Sequence, residues 1–207
     1  MPLLKQYAAG NMAVWKIEES EQQLLDTLQR KELILPTLEN LRAPRRRLEW
    51  LATRCLLKQL LGEETPITYR ESGAPLLPLR SESISISHSH EFVAIRLSQA
   101  QQTAIDIECH GDKAFRLRER FMNPQELQSL HPDTQTTQAL LCWSAKEVLF
   151  KLLDNESVDF AAHLHLAPFP IAEHGTIYAH ETRSANGASF TLDYFIDSHF
   201  VLVWHRD

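Results

Sequence analysis

Thr103-Ala104-Ile105-Asp106-Ile107-Glu108 lies near the middle of a 207-residue chain. Its apolar and acidic residues alternate, which is the period of a strand. The pattern predicts Ile105 and Ile107 on the core face, with Asp106 and Glu108 on the opposite one. Carboxylates two residues apart on one strand face stand about 7 Å apart and repel each other, so a cation should offset them. A hard divalent ion such as Mg²⁺ meets that need, because it takes oxygen ligands and keeps a few carboxylates plus substrate phosphate. A solvent-facing strand would carry the same residues harmlessly, and the hexapeptide leaves both readings open.

Downstream, Cys142-Trp143-Ser144-Ala145-Lys146-Glu147-Val148-Leu149-Phe150-Lys151 falls in a predicted helix, Thr137 to Leu153, whose core stripe is Leu141, Ala145, Val148 and Leu152. Glu147 and Lys151 share a face, with Lys146 displaced by about 100°. That is either an ordinary i,i+4 ion pair or a third oxygen ligand beside two lysines that neutralise phosphate. Upstream, Ser83 to Ser87 alternates Ile84 and Ile86 with serines and leads into His88-Ser89-His90-Glu91, read as a turn before a strand from Phe92 to Leu97. Ser87 and His88 could offer hydroxyl and imidazole donors to a phosphate. His88 and His90 form a His-x-His pair, but no cysteine or histidine follows at zinc-site spacing. His163-Leu164-His165 reads as the polar face of a strand.

Further out, Met12 to Ile17 suggests a strand and Glu19 to Leu35 a helix ended by Pro36. Arg45 to Leu61 is a stronger helix, with Gly62 as its stop and Arg47, Arg54 and Lys58 along one side. Ile67 to Arg70 reads as a strand, Leu117 to Arg120 and Pro124 to Leu130 as helical, and the chain after the long helix mainly as strands. His90 to Arg96 and Ser198 to Trp204 are similar short strands, each entered through a polar, histidine-containing turn. Two similar α+β halves, 1–98 and 99–207, would explain that echo.

Composition bounds the function. A net charge of −6 argues against a dedicated nucleic-acid binder, which needs a basic surface. No stretch approaches the roughly 18 apolar residues of a membrane span. The first ten residues lack the pattern of a signal peptide. Three cysteines, Cys55, Cys109 and Cys142, have no CxxC spacing and read as buried thiols of a reducing compartment. A cytoplasmic address is expected.

In this order the clusters resemble the 4′-phosphopantetheinyl transferase superfamily. Its Gly-Ile-Asp-Ile-Glu motif stands here as Ala104 to Glu108, and its Trp-(Ser/Thr/Cys)-x-Lys-Glu-x-x-x-Lys motif as Trp143 to Lys151. An Ile-Ser-His-Ser element is found at Ile86 to Ser89, a Gly-Lys-Pro loop is echoed by Gly73-Ala74-Pro75, and an Arg-Phe-(x)4-Glu element by Arg120 to Glu126. The length and the internal echo resemble the larger, surfactin-synthetase-activating type. That implies an α+β fold with two similar halves related by a pseudo-twofold axis, and a monomer.

The resemblance implies transfer of the 4′-phosphopantetheine group of coenzyme A to a serine of an apo acyl or peptidyl carrier protein, with Mg²⁺, releasing 3′,5′-adenosine diphosphate. Asp106, Glu108 and Glu147 match the family's metal ligands. Lys146, Lys151 and His88 match residues that hold the pyrophosphate, and Ser87 with Gly73 to Pro75 falls where the nucleotide is contacted. Arg45 or Arg47 is placed for the 3′-phosphate. Glu126 falls near the metal and would order a water, and Glu147 would take the serine proton directly or through metal-bound water. Ala74 replaces a lysine, Ala104 a glycine, and Asp154-Asn155-Glu156 stands where glycines are common. A catalytically impaired coenzyme A- or carrier-binding homologue, or an Mg²⁺-dependent phosphohydrolase, are the rival readings.

Overall fold

Ser20 opens the first helix because its hydroxyl accepts from the backbone of Gln23 while the Gln23 side chain accepts from the backbone of Ser20. The computed structural model describes residues 3–7, 11–154, 157–184 and 186–207. Asn155 and Glu156, part of the segment singled out in the sequence, lie outside them. The chain divides into two compact units, Met1–Gln102 and Thr103–Asp207.

In the first unit, strands β1 (Leu3–Tyr7) and β2 (Met12–Lys16) precede helices α1 (Glu21–Thr27), α2 (Lys31–Asn40) and α3 (Pro44–Leu61). Strands β3 (Thr68–Tyr69) and β4 (Pro75–Leu76) pair as a short ribbon, followed by β5 (Ser83–Ser89) and β6 (Phe92–Ser98). An antiparallel sheet in the order β1-β2-β6-β5 results, and α3 packs on β2 and β6. Trp15, Leu24, Leu51, Leu56, Val93 and Ile95 are among its core residues.

The single helix expected over Glu19 to Leu35 is two. Glu64 causes the break: its carboxylate accepts from the backbone N–H of Gln29 at 2.6 Å and of Arg30 at 2.9 Å, and takes Lys58 Nζ at 2.8 Å. Donors held by a side chain 34 or 35 residues away are withdrawn from the helical ladder. Pro36 lies inside α2 rather than ending it, since a proline in the second turn removes one intrahelical bond only. At the other end of α3, Gly62 adopts φ 75° and closes the helix, as its position suggested. Strand β5 continues through His88 and Ser89, so the turn shrinks to His90 and Glu91, with His90 at φ 50°.

The second unit begins with β7 (Ile105–Cys109), then α4 (Lys113–Leu117), a 3-10 turn at Arg118–Arg120, α5 (Pro124–Gln128) and the long α6 (Gln135–Leu153). A short helix, α7 (Phe160–His163), precedes β8 (Leu164–Leu166), β9 (His174–Glu181), β10 (Ala188–Ile196) and β11 (Phe200–His205). These strands form an antiparallel sheet in the order β7-β11-β10-β9-β8, and α6 packs across β7 and β11. The predicted stripe Leu141, Ala145, Val148 and Leu152 is buried in the core together with Val201, Val203, Leu192 and Tyr194.

Register decides which face of β7 meets α6. Asp106 pairs with Val203 and Glu108 with Val201, and cross-strand partners project to the same side. Val201 and Val203 are fully buried in the core beneath α6, so both acidic residues point at that helix. The sequence suggested the reverse, with Ile105 and Ile107 facing the core. Both faces of β7 are in fact covered, since Ile105 and Ile107 are also buried, and alternation by itself does not say which buried face is polar. The fold is α+β, as expected. No helix among the described residues is long and apolar enough to cross a membrane.

Each unit has its own core, so one truncation in each should be costly. Leu56→Ala in the first unit and Leu149→Ala in the second should each destabilise by about 2–5 kcal/mol. Urea denaturation should show the loss as a lower midpoint with an unchanged slope.

Candidate active site

Burying a carboxylate demands partners, and α6 supplies them to the acidic pair on β7. Asp106 is 4% exposed; its Oδ2 accepts from Ser144 Oγ at 2.8 Å and its Oδ1 from Lys151 Nζ at 2.8 Å. The same ammonium donates to the Ile105 carbonyl at 2.8 Å. Glu108 Oε1 accepts from the Trp143 indole N–H at 3.1 Å. Trp143, Glu147 and Lys151 recur every four residues and so share a helix face. Glu147 therefore sits between the two residues that grip β7.

That placement perturbs Glu147. Burial is the main cause, and the charges of Asp106 and Glu108 add to it against an opposing pull from Lys151; together they raise its pKa from the ordinary 4.5 to about 7. The structure thus brings Asp106, Glu108, Glu147 and Lys151 into one electrostatic neighbourhood. Among the described residues no three acidic, histidine or cysteine side chains are gathered closely enough to hold a metal ion as they stand. The donor set itself fits a hard divalent ion: three carboxylates, one protonated near neutrality only because of burial and like charge.

Lys146 lies elsewhere. Its side chain is 0% exposed, and its ammonium donates to Glu126 Oε2 at 2.7 Å, the Phe121 carbonyl at 2.7 Å and the Phe160 carbonyl at 3.0 Å. Three donors thus meet three protein acceptors. Glu126 is equally engaged, accepting from the backbone N–H of Asn123 and of Leu166, both at 2.9 Å, within the capping box of α5. Together they bind α6 to α5, α7 and β8. Neither points to the acidic pair on β7, and the 100° offset of Lys146 from Glu147 is the reason. Beside them, burial pushes the Cys142 thiol up to about 12, which leaves it unreactive. Cys55 is also buried, whereas Cys109 is only half-buried, and all three thiols are free.

The first unit holds a cavity of ≈ 180 Å³, with Gly73 and Pro75 in its lining. Gly73 turns the β3–β4 ribbon at φ 84°, a left-handed conformation that favours glycine. His88 faces this cavity from β5, and Ser87 is buried on the other side of the strand. Arg46 Nη1 lies 2.6 Å from His88 Nε2. A guanidinium has no acceptor, so Nε2 must accept and the ring proton sits on Nδ1, 3.7 Å from Glu49.

Of the arginines singled out in the sequence, Arg45 is exposed and pairs with Glu49 at 3.0 Å. Arg47 turns away, gripping Glu21 through two bonds of 2.6 Å and donating to the Leu38 and Leu41 carbonyls. The cations that line the cavity are Arg46 and Arg54, with Trp50 between them in sequence. The residues 46, 50 and 54 repeat every four positions, a stripe one residue out of phase with Arg47. That helical phase was the available signal for them.

Residues 102–202 match the sequence model of the ACPS family, described as the 4′-phosphopantetheinyl transferase superfamily. The chain is 33% identical over 119 residues to 4′-phosphopantetheinyl transferase AcpT of Escherichia coli (strain K12), covering 51% of this chain and 57% of that protein. It is 32% identical over 116 residues to the protein of the same name from Escherichia coli O157:H7, with the same coverage. The chain thus spans little more than half the length of the curated relatives it matches. The matched segment contains β7 and α6 whole, with the carboxylates, the indole and the lysine that join them. Over that segment, which makes up most of the second unit, the chain is similar to the 4′-phosphopantetheinyl transferase superfamily.

Proposed function

We propose that the protein transfers the 4′-phosphopantetheine group of coenzyme A to a serine of an apo carrier protein with the help of Mg²⁺, as a member of the larger, two-halved surfactin-synthetase-activating type. The observation that carries this reading is the placement of Glu147 beside Asp106, Glu108 and Lys151 inside the segment that matches the superfamily. The names of its relatives support the same activity.

In this reading the serine oxygen bonds to the β-phosphorus of coenzyme A, and the bond from that phosphorus to the bridging oxygen breaks. The leaving group, 3′,5′-adenosine diphosphate, departs with that oxygen and its electron pair. Glu147 takes the serine proton, as a positioned carboxylate general base. Asp106, Glu108 and Glu147 would hold Mg²⁺, which supplies neutralisation of phosphate charge when bound. Lys151, 27% exposed at its side chain, pairs with Asp106 at 2.8 Å and can stabilise negative charge that grows on the phosphoryl oxygens. Trp143 holds Glu108, and Ser144 holds Asp106, so neither ligand must be ordered at the moment of reaction.

For the nucleotide end, the cavity beside His88 carries Arg46 and Arg54 against one carboxylate, Glu49. That excess of cations supports giving the phosphorylated ribose to this cavity, with Gly73 to Pro75 against the base and Arg45 paired to its carboxylate, Glu49. Lys146 and Glu126, enclosed as they are, are assigned to holding α6 in place.

Three outcomes are expected. With coenzyme A, Mg²⁺ and a set of apo-carriers, mass spectrometry should show the carrier gaining one phosphopantetheine, and Asp106→Asn should lower kcat/KM by at least about a hundredfold. No mass gain on any carrier, or full activity of Asp106→Asn, would sink the proposal.

The second outcome is a pH dependence of the metal-free protein. Glu147 holds its proton up to about pH 7 when folded but only to 4.5 when unfolded, so the folded state binds more protons between those values. Stability in a chelator should therefore fall as pH rises from 4.5 to 7, by about 3 kcal/mol at most, and level off above. Glu147→Gln should flatten the curve, and Mg²⁺ at pH 8 should raise the melting temperature of the wild type but not of that variant.

The third outcome concerns the enclosed pair. Lys146→Met should destabilise by about 3–5 kcal/mol because it leaves Glu126 charged and unpaired. Lys146→Met with Glu126→Gln should recover part of that loss in urea denaturation, and the KM for coenzyme A of the folded double variant should stay near the wild-type value.

A further inference from the structure

A second cavity in the first unit, of ≈ 250 Å³, is lined by α2, α3 and the stretch from Glu64 to Tyr69. Leu28, Ile34, Trp50 and Ile67 give it apolar walls, and Arg30, Thr37, Arg54, Glu64, Thr65 and Tyr69 bring the polar groups. Arg54 lies over the Trp50 ring, its Cζ 3.4 Å from the centroid, and donates to the Trp50 carbonyl at 3.1 Å. Burial holds the Arg54 pKa below its ordinary value, with the Tyr69 hydroxyl working against that shift.

A guanidinium has five N–H donors. Among the described residues, those of Arg54 meet the Trp50 carbonyl and the Tyr69 hydroxyl, and no carboxylate pairs with it. Glu64 also lines the cavity, but its oxygens are taken by Lys58 and by the backbone of Gln29 and Arg30. A half-buried cation without a counter-ion is costly, and an anion would relieve it. An apolar cavity of about 150 Å³ is large enough for benzene, so this one has room for a ring with a short acid arm.

We propose that this cavity binds a small aromatic carboxylate, with the ring among Leu28, Ile34 and Ile67 and the carboxylate on Arg54. The site shares Trp50, Arg54 and Tyr69 with the cavity given to the nucleotide end, but its ring pocket among Leu28, Ile34 and Ile67 lies outside that cavity's lining, so the proposal stands whether or not the transferase reading holds. It commits to a ring as well as a charge, because inorganic phosphate alone would leave the apolar walls unused.

Isothermal titration of the full chain with phenylacetate, phenyl phosphate and benzyl alcohol tests it. Phenylacetate should bind one to one with a Kd of about 0.1–1 mM, the range open to a ligand of some ten heavy atoms. Benzyl alcohol, with the ring but no charge, should bind at least about tenfold more weakly, and Arg54→Gln should weaken phenylacetate by a similar factor. Thr37, exposed on α2 in the lining of this cavity and absent from the one beside His88, gives a second variant. Thr37→Trp should abolish phenylacetate binding and leave the circular dichroism spectrum and any carrier-modifying activity unchanged. Tighter binding of phenyl phosphate than of phenylacetate would overturn the carboxylate assignment. No measurable binding of either anion, equal affinity for benzyl alcohol, or affinity unchanged in both Arg54→Gln and Thr37→Trp would overturn the site.

Discussion

A carboxylate buried at the edge of a sheet has few stable arrangements, and Asp106 dictates the one adopted by the second unit. Each of its oxygens takes a donor from α6, a hydroxyl from Ser144 and an ammonium from Lys151. Two donors seven residues apart on one helix fix both its axial position and its rotation against β7. Once that phase is set, Glu147 has no choice but to lie near Asp106 and Glu108, and Lys146 must point into the protein. The perturbed acid and the enclosed base are thus two results of one docking.

The sequence revealed the elements of this site better than their orientation. The alternation of Ile105 to Glu108 announced a strand, and the spacing of Leu141, Ala145, Val148 and Leu152 announced the helix that covers it. Which face of β7 met the helix was hidden, because Ile105 and Ile107 are as fully buried as the valines paired with Asp106 and Glu108. Lys146 and Lys151 look alike in a motif; only the packed helix separates a lysine with every donor taken by the interior from one beside the acidic pair. In α3 the consecutive arginines 45 to 47 defeated assignment for a similar reason, since one residue of helical phase decides whether a side chain meets Glu21 or His88. Helix α7 was not legible at all, its four residues being too few to show a period.

Charge is distributed with the same economy in both units. The chain is acidic overall, and most of its interior cations are committed to neighbours: Arg47 to Glu21, Lys58 to Glu64, Lys146 to Glu126. Against that background, Arg54 in the first unit stands out, and so does the group around Glu49, where Arg45, Arg46 and His88 share one carboxylate. An anionic ligand is selected by such local excess, not by net charge.

Glu64 carries a consequence for the order in which the first unit takes shape. Residues 19–40 hold no glycine that would part α1 from α2, and Pro36 falls within α2. The break at Leu28 to Arg30 is written by a carboxylate that the ribosome adds more than thirty residues later. A nascent chain ending before Glu64 lacks the instruction to bend there, and its N-terminal segment can extend as one rod. The α1–α2 bend is held by Lys58 and Glu64 at the end of α3, a tertiary contact within a segment that looks purely local.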